Sequence, residues 1–219
     1  MSHVLGLLGG TFDPVHCGHL ALATAALDSK AIDRVRWIPG GQPPHRAGPQ
    51  ARAEDRLEMV KLMIADHPAF ELDDGEVLAA ARGEPSYTIL TLERLRRALG
   101  PEQPLALILG ADAFLGLPTW HRWQEILPLT HLLITTRAGA MLDREQMPAA
   151  LRPVWAKQQS KDPATLATVP GGLIYPFPMP SIDISATELR RRLPDPGAEL
   201  DGLLSPAVLR YIRHHQLYC

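Results

Sequence analysis

Short apolar runs alternate with helical patterns along most of this chain, and this alternation limits its fold more than any other feature. The runs are VLGLL, RVRWIP, LALILG and HLLITT, and the helical segments between them include LALATAAL and ARAEDRLEMVKLMIAD. Runs this short suit strands buried on both faces, and strands separated by helices connect in parallel. We therefore predict an α/β fold: a Rossmann-like, doubly wound parallel sheet with helices on both faces and further helices at the C-terminus.

The composition fits an ordinary globular protein. The chain has 219 residues, of which 46% are hydrophobic and 21% are charged, so a substantial core can form without staples. We predict a single domain over residues 1–219, with a helical C-terminal part from about residue 184. A less regular region, residues 139–172, is predicted to hold one helix among loops.

Charge, cysteine content and hydropathy exclude several classes of protein. A net charge of −2 argues against a broad surface for nucleic acid or for anionic membranes. Cys17 and Cys219 are far apart and belong to no metal-binding spacing, which fits a reducing compartment. Neither an export signal nor a membrane span is predicted. We expect a soluble cytoplasmic protein and leave open whether it forms a homo-oligomer.

Two histidines follow the first apolar run, in the stretch GGTFDPVHCGHL. If a helix begins near Cys17, then His16 and His19 lie at its amino end, where free backbone N–H groups attract anions. Gly9, Gly10 and Gly18 allow close approach of a ligand. We predict a polyphosphate cradle. A metal site is less favoured because no third ligand lies nearby, and histidines that merely cap or pack a turn are the remaining alternative.

Other polar segments follow the remaining predicted strands. GGQPPHR comes after the second strand, GAD after LALILG and Arg137 after HLLITT. Ligands of such sheets bind beyond the carboxyl ends of the strands, so we expect these segments to meet at one cleft.

A second anion site is predicted near the C-terminus, in ISATELRRRL. Ser185 and Glu188 have the spacing of a capping box at a helix start. The capping box does not explain Thr187 and Arg190, which would present a hydroxyl and a guanidinium at that helix terminus.

These motifs resemble a known family. GGTFDPVHCGHL is similar to the T/H-x-G-H signature of nucleotidyltransferases, and ISATELRRRL is similar to their I-S-x-T-x-x-R element. Within that superfamily the chain most resembles the bacterial nicotinate-nucleotide adenylyltransferases. The resemblance extends through PPHR, PSYT, GAD with PTW, and SPAVLRYI, in that order.

The resemblance implies transfer of AMP from ATP to nicotinate mononucleotide, with Mg²⁺, giving nicotinate adenine dinucleotide and pyrophosphate in NAD biosynthesis. The implied catalytic residues are His16, His19 and Arg190. The implied ATP-binding residues are Gly9, Gly10, Thr11, Phe12, Gly18, Gly110, Asp112, Arg137, Ser185 and Thr187. The implied residues for nicotinate mononucleotide are His45, Arg46, Ser86, Tyr87, Thr88 and Trp120. No metal ligand is assigned, and Asp13 either orients the turn or lies near the metal.

Several alternatives stay open at this point. Without the resemblance, Asp112 could equally cap the helix that follows it. Trp120 could be a core side chain. The chain could be a sister adenylyltransferase acting on nicotinamide mononucleotide or phosphopantetheine, or a nucleotide-binding module without catalysis. HCGH also resembles the H-I-G-H signature of aminoacyl-tRNA synthetases, but the chain is short and acidic and has no KMSKS-like segment.

Overall fold

A six-stranded sheet forms the centre of the computed structural model, which describes residues 3–41, 48–137, 147–180, 182 and 184–219. The strands are β1 (Leu5–Gly10), β2 (Arg34–Pro39), β3 (Phe70–Leu72), β4 (Leu105–Gly110), β5 (His131–Arg137) and β6 (Ile174–Met179). Their order is β3-β2-β1-β4-β5-β6. β4 pairs in parallel with β1 and β5, and β5 pairs in parallel with β6. This is the strand order of a Rossmann fold, so the predicted fold class is confirmed.

Helices connect the strands, as the alternating pattern predicts. They are α1 (Cys17–Asp28), α2 (Ala53–Ile64), α3 (Gly75–Ala81), α4 (Thr88–Leu99), α5 (Ala111–Leu115), α6 (Ile126–Leu129), α7 (Arg152–Gln158), α8 (Ala186–Arg192) and α9 (Pro206–His214). Short 3₁₀ helices cover Leu117–Thr119, Trp123–Glu125 and Pro163–Ala167. The helix predicted within residues 139–172 is α7. In the described ranges no helix has the length and apolar character that crossing a bilayer requires.

Two strands were not predicted from the sequence. β3 has only three residues, too few to show an alternating pattern. β6 contains Pro176 and Pro178, which cannot donate to a hydrogen-bond ladder. The strand lies at the edge of the sheet, beside β5, where missing donors are tolerated.

The chain packs as two compact units, each built from three stretches of sequence. Unit 1 comprises residues 1–8, 22–36 and 87–181, and unit 2 comprises residues 9–21, 37–86 and 182–219. The core of unit 1 includes Leu7, Leu105, Ile108, Phe114, Leu133 and Ile134. The core of unit 2 includes Phe12, Trp37, Met59, Val60 and Val208. That the chain forms a single domain stays a prediction.

Candidate active site

The turn after β1 is held by the Phe12 side chain, which is buried in unit 2. Its ring centroid lies 5.5 Å from that of Trp37 and 5.0 Å from that of His19. The ring also folds back over Gly10, where a Cβ atom would approach it to 2.9 Å. Glycine at position 10 therefore lets the turn close over the Phe12 ring, and the contribution of Phe12 to ATP binding stays a prediction.

His16 and His19 stack against each other at the amino end of α1. Their ring centroids are 3.7 Å apart, and the His16 backbone N–H donates to His19 Nδ1 at 3.2 Å. Because Nδ1 of His19 accepts this hydrogen bond, the neutral His19 ring carries its proton on Nε2. The ring thus offers an Nε2–H donor to a ligand.

His16 contributes a buried polar atom. The residue is 7% exposed, and its Nδ1 finds no hydrogen-bond partner among the described residues. A Cβ atom at Gly18 would lie 3.0 Å from that nitrogen, so glycine at position 18 makes room for the imidazole. Buried polar atoms in native proteins are nearly always paired, so this nitrogen is available to a bound group or to water.

Both histidines are neutral at pH 7. Burial lowers the pKa of His16 to about 4. Burial, with a smaller contribution from the nearby His16, holds the pKa of His19 well below its ordinary range. The pair therefore offers N–H donors without net charge, and any fixed positive charge at the predicted cradle must come from other groups.

The depressed pKa of His16 predicts a loss of stability in acid. The unfolded chain takes up a proton near pH 6.5, whereas the folded protein resists protonation until about pH 4. The stabilisation is therefore complete above pH 6.5 and is lost as the pH falls towards 4. Between pH 7 and about pH 4, urea unfolding should show wild type losing about 3 kcal/mol more than His16→Asn. Equal losses in both proteins would contradict the burial of a neutral His16.

Arg190 joins the second motif to the first within unit 2. Its Nη1 donates to the backbone oxygen of Asp13 at 2.6 Å, and Nη2 donates to Thr187 Oγ1 at 3.3 Å. The Ser185 side chain caps α8 by accepting the Glu188 N–H at 3.2 Å, as the sequence predicts. Two segments 177 residues apart therefore meet at the turn between β1 and α1, residues 11–16, and Arg190 supplies it with a fixed charge. We call this segment the phosphate turn after the ligand predicted for it.

The Asp13 carboxylate is occupied by protein donors. Oδ1 accepts the Ala51 N–H at 3.1 Å and the Tyr218 hydroxyl at 2.7 Å, while Oδ2 accepts the Gln50 N–H at 2.9 Å. Oδ2 also lies 3.7 Å from Arg190 Nη1. These contacts favour the interpretation that Asp13 orients the turn, and its role near a metal stays a prediction.

Unit 1 carries three of the predicted ATP-binding residues, Gly110, Asp112 and Arg137. Gly110 ends β4 and pairs with Thr135 of β5. Asp112 follows β4, and Arg137 is the last residue of β5 rather than the first residue after it, so the two lie at the same end of neighbouring strands. Asp112 is exposed in the first turn of α5. That all the predicted segments share a single cleft stays a prediction.

The residues predicted to bind the pyridine nucleotide lie at the start of α4 and near the first 3₁₀ helix. Thr88 begins α4, and the Tyr87 ring lies against His121 with 4.5 Å between centroids. Trp120 is only partly buried, so its indole is not confined to the core. In unit 2 the Ser86 hydroxyl accepts the Gly41 N–H at 3.1 Å. His45 and Arg46 lie outside the described residues.

The sequence profile of the cytidylyltransferase-like family matches residues 7–192. A curated Dechloromonas aromatica protein, named probable nicotinate-nucleotide adenylyltransferase, is 48% identical, with 100% of this chain and 99% of that protein aligned. A protein of the same name from Yersinia pestis is 43% identical over 97% of this chain and 94% of its own length. The chain belongs to the nicotinate-nucleotide adenylyltransferase family. It is a nucleotidyltransferase, and the predicted resemblance is confirmed.

A solved structure shows the same fold as this family member. The Plasmodium falciparum nicotinic acid mononucleotide adenylyltransferase, complexed with NaAD, superposes with a TM-score of 0.73 at 18% identity. The match covers 99% of this chain and 97% of the parasite protein. At this identity the likeness supports the fold and not the details of the site.

One residue of this family member that the motifs did not reveal is Arg56 of α2. It is 1% exposed, and its guanidinium donates to the backbone oxygens of Thr11 at 2.6 Å, Gly40 at 2.5 Å, Gly41 at 2.7 Å and Ala51 at 3.3 Å. It therefore fixes the phosphate turn, the end of β2 and the approach to α2 relative to one another.

A sequence signal for Arg56 does exist. Met59, Val60 and Met63 follow it at spacings of three, four and seven, and all are buried. Helical periodicity therefore places the arginine on the apolar face, where a charge must find partners.

An apolar cavity of about 410 Å³ lies within unit 1, lined by residues that include Phe114, Trp123, Leu127 and Leu151. Its lining contains none of the predicted substrate residues. The two motifs predicted to bind phosphate lie at the amino ends of α1 and α8, in parts of the chain that belong to unit 2.

Proposed function

We propose that the chain transfers the AMP moiety of ATP to nicotinate mononucleotide. A phosphate oxygen of the mononucleotide forms a bond to the α-phosphorus of ATP, and the bond from that phosphorus to the β-phosphate oxygen breaks. The products are nicotinate adenine dinucleotide and pyrophosphate. The relatives named for this enzyme, at 43–48% identity over nearly the full chain, support the substrates. The stacked histidine pair beside the Arg190–Asp13 contact is the observation that carries the chemistry.

The chemistry needs positioned donors more than it needs a base. The second pKa of a phosphomonoester is near ~6, so the attacking phosphate is already an anion at neutral pH. Neutral His16 and His19 are suited to donate N–H bonds to phosphate oxygens, and Arg190 adds a fixed charge as the leaving pyrophosphate develops its own. Catalysis of this kind rests on alignment and electrostatic stabilisation.

Mg²⁺ is proposed to arrive with ATP. No group of three metal-binding side chains occurs within the described ranges, and the Asp13 carboxylate is occupied by protein donors. Mg²⁺ often takes most of its ligands from substrate phosphates and water. When bound in that way, it would neutralise part of the charge on the triphosphate.

The nicotinate ring is proposed to bind near Trp120 and the start of α4. The ring of the mononucleotide is a pyridinium, which an indole face attracts by about 0.5 to 2 kcal/mol. The carboxylate needs donors, which the backbone and hydroxyl groups around Tyr87 and Thr88 would supply. His45 and Arg46 are proposed to contact the substrate phosphate, as the family pattern implies. The cytoplasmic location stays a prediction.

Competition between acid and amide tests the proposed substrate. With ATP, the acid mononucleotide should give a kcat/KM at least about tenfold above that of the amide, because the amide replaces an acceptor with a donor. Pyrophosphate release and dinucleotide formation are measured together at matched concentrations. Nicotinate riboside, which lacks the attacking phosphate, is the control and should release no pyrophosphate. Equal or reversed preference would contradict the proposed acceptor, and a preference for phosphopantetheine would favour the sister activity.

A further inference from the structure

The C-terminal residues of the chain reach the phosphate turn. The Tyr218 hydroxyl donates to Asp13 Oδ1 at 2.7 Å, across 205 residues of sequence. Tyr218 is 9% exposed, so this hydrogen bond is shielded from water. Its backbone φ of 63° lies in the left-handed region, which a tyrosine rarely adopts, and Gln216 has a φ of 51°. The chain end is thus held in an unfavourable backbone conformation while it makes this contact.

Among the described residues, three donors hold the Asp13 carboxylate, and one of these is a side chain. Gln50 and Ala51 donate through their backbone N–H groups, and Tyr218 donates through its hydroxyl. Burial and the neighbouring Asp13 raise the pKa of Tyr218, so its hydroxyl remains a donor at any working pH. The same aspartate presents its backbone oxygen to Arg190 Nη1. Oδ2 of the same carboxylate lies 3.7 Å from Arg190 Nη1, so a rotation of the Asp13 side chain moves the carboxylate relative to the guanidinium.

We propose that Tyr218 is a positioning residue for phosphate transfer, acting on Arg190 through Asp13. The inference rests on the proposed function, and it extends the catalytic apparatus to a residue outside both phosphate motifs. Tyr218 contacts no reacting atom in this scheme. It holds the Asp13 carboxylate in place, and that carboxylate, together with the Asp13 backbone oxygen, holds the guanidinium.

The chain offers a matched control in Tyr211. Its hydroxyl donates to Asp55 Oδ1 at 3.0 Å, so the same pair of side chains occurs a second time in unit 2. Asp55 receives its other side-chain contact from the exposed Arg52. Replacing either tyrosine with phenylalanine removes one hydroxyl and keeps the ring. If both tyrosines were purely structural, both variants would lose stability and neither would lose kcat at a temperature where it is folded.

The test compares the two variants in steady-state kinetics and in thermal unfolding. Tyr218→Phe should lower kcat about tenfold, the loss expected for one hydrogen bond to a charged group, and should leave KM for nicotinate mononucleotide within about twofold. Tyr211→Phe should keep kcat within about twofold, and its loss of melting temperature should be no larger than that of Tyr218→Phe because its hydrogen bond is only partly buried. Equal kinetic losses in both variants, or an unchanged kcat in Tyr218→Phe, would overturn the proposal.

A second measurement asks whether Tyr218 acts through Arg190. When Arg190→Ala is already present, adding Tyr218→Phe should lower kcat by a further factor of less than about two, because the group that Tyr218 positions is gone. A full tenfold loss in that background would contradict the route through Arg190.

Calorimetric titration with ATP separates this inference from the proposed function. If the wild type forms no dinucleotide, the proposed function fails, but ATP affinity still reports on the placement of Arg190. Tyr218→Phe should then weaken ATP binding about fivefold relative to Tyr211→Phe. Equal ATP affinities in the two variants would count against Tyr218 whatever the acceptor is.

Discussion

Replacing His19 with alanine should lower kcat by about 10²- to 10³-fold while the protein stays folded. The neutral imidazole presents an Nε2–H donor, because its Nδ1 already accepts the His16 N–H at 3.2 Å. Loss of one preorganised donor to a developing charge costs about this much in other enzymes. Pyrophosphate release under saturating substrates measures the effect, and circular dichroism with thermal unfolding verifies the fold.

His67 provides the control for this substitution. It also lies in unit 2, and its ring packs against Phe70 with 5.0 Å between centroids. His67→Ala should keep kcat within about twofold, since it removes a stacked imidazole of the same size. If His19→Ala kept more than about a tenth of wild-type kcat, the pair would be structural and the assignment of His19 as a catalytic donor would fail.

Replacing Arg56 with methionine should cost about 3 to 5 kcal/mol of unfolding free energy. The substitution removes the donor for four backbone oxygens, those of Thr11, Gly40, Gly41 and Ala51. Buried acceptors left without donors carry a desolvation cost of about 1 to 3 kcal/mol each, part of which relaxation recovers. Urea unfolding measures the change. Arg56→Lys should recover only a minor part of the lost unfolding free energy. A single ammonium group cannot reach all the carbonyl oxygens that the planar guanidinium contacts.

Arg96 separates loss of stability from loss of activity. In unit 1 its guanidinium also binds backbone oxygens, including those of Leu129 at 2.5 Å and Pro170 at 2.7 Å. At a temperature where both variants are folded, Arg56→Met should lower kcat at least about tenfold, and Arg96→Met should leave it within about twofold. An unfolding free energy near wild type in Arg56→Met would show that the four carbonyl contacts contribute little.

The fold was predictable because its signals are local. VLGLL and LALILG are buried strands with helices after them, and this alternation predicts a parallel sheet. The order of the strands was not predicted, because more than one order is compatible with right-handed connections. The capping function of Ser185 was equally readable from its spacing to Glu188. β6 escaped prediction because two prolines obscure a strand that tolerates them only at an edge.

The site was predictable in its residue types and less so in its electrostatics. The motifs identify His16 and His19, but the neutral state of both rings depends on burial that only the tertiary structure provides. The contact of Arg190 with the Asp13 backbone oxygen joins segments 177 residues apart. Tyr218 belongs to no recognised motif, and its hydrogen bond to Asp13 depends on where the tertiary structure brings the C-terminal residues.

The interleaving of the two units imposes an order on biosynthesis. Unit 2 combines residues 9–21 and 37–86 with residues 182–219, so its early parts leave the ribosome long before the last one. The phosphate turn therefore lacks its contacts with Arg190 and Tyr218 until residues 87–181 have been translated and the last part of unit 2 has followed. Contacts of such long range close late in folding. A nascent chain that stops short of α8 would therefore carry both histidines and still lack a working centre.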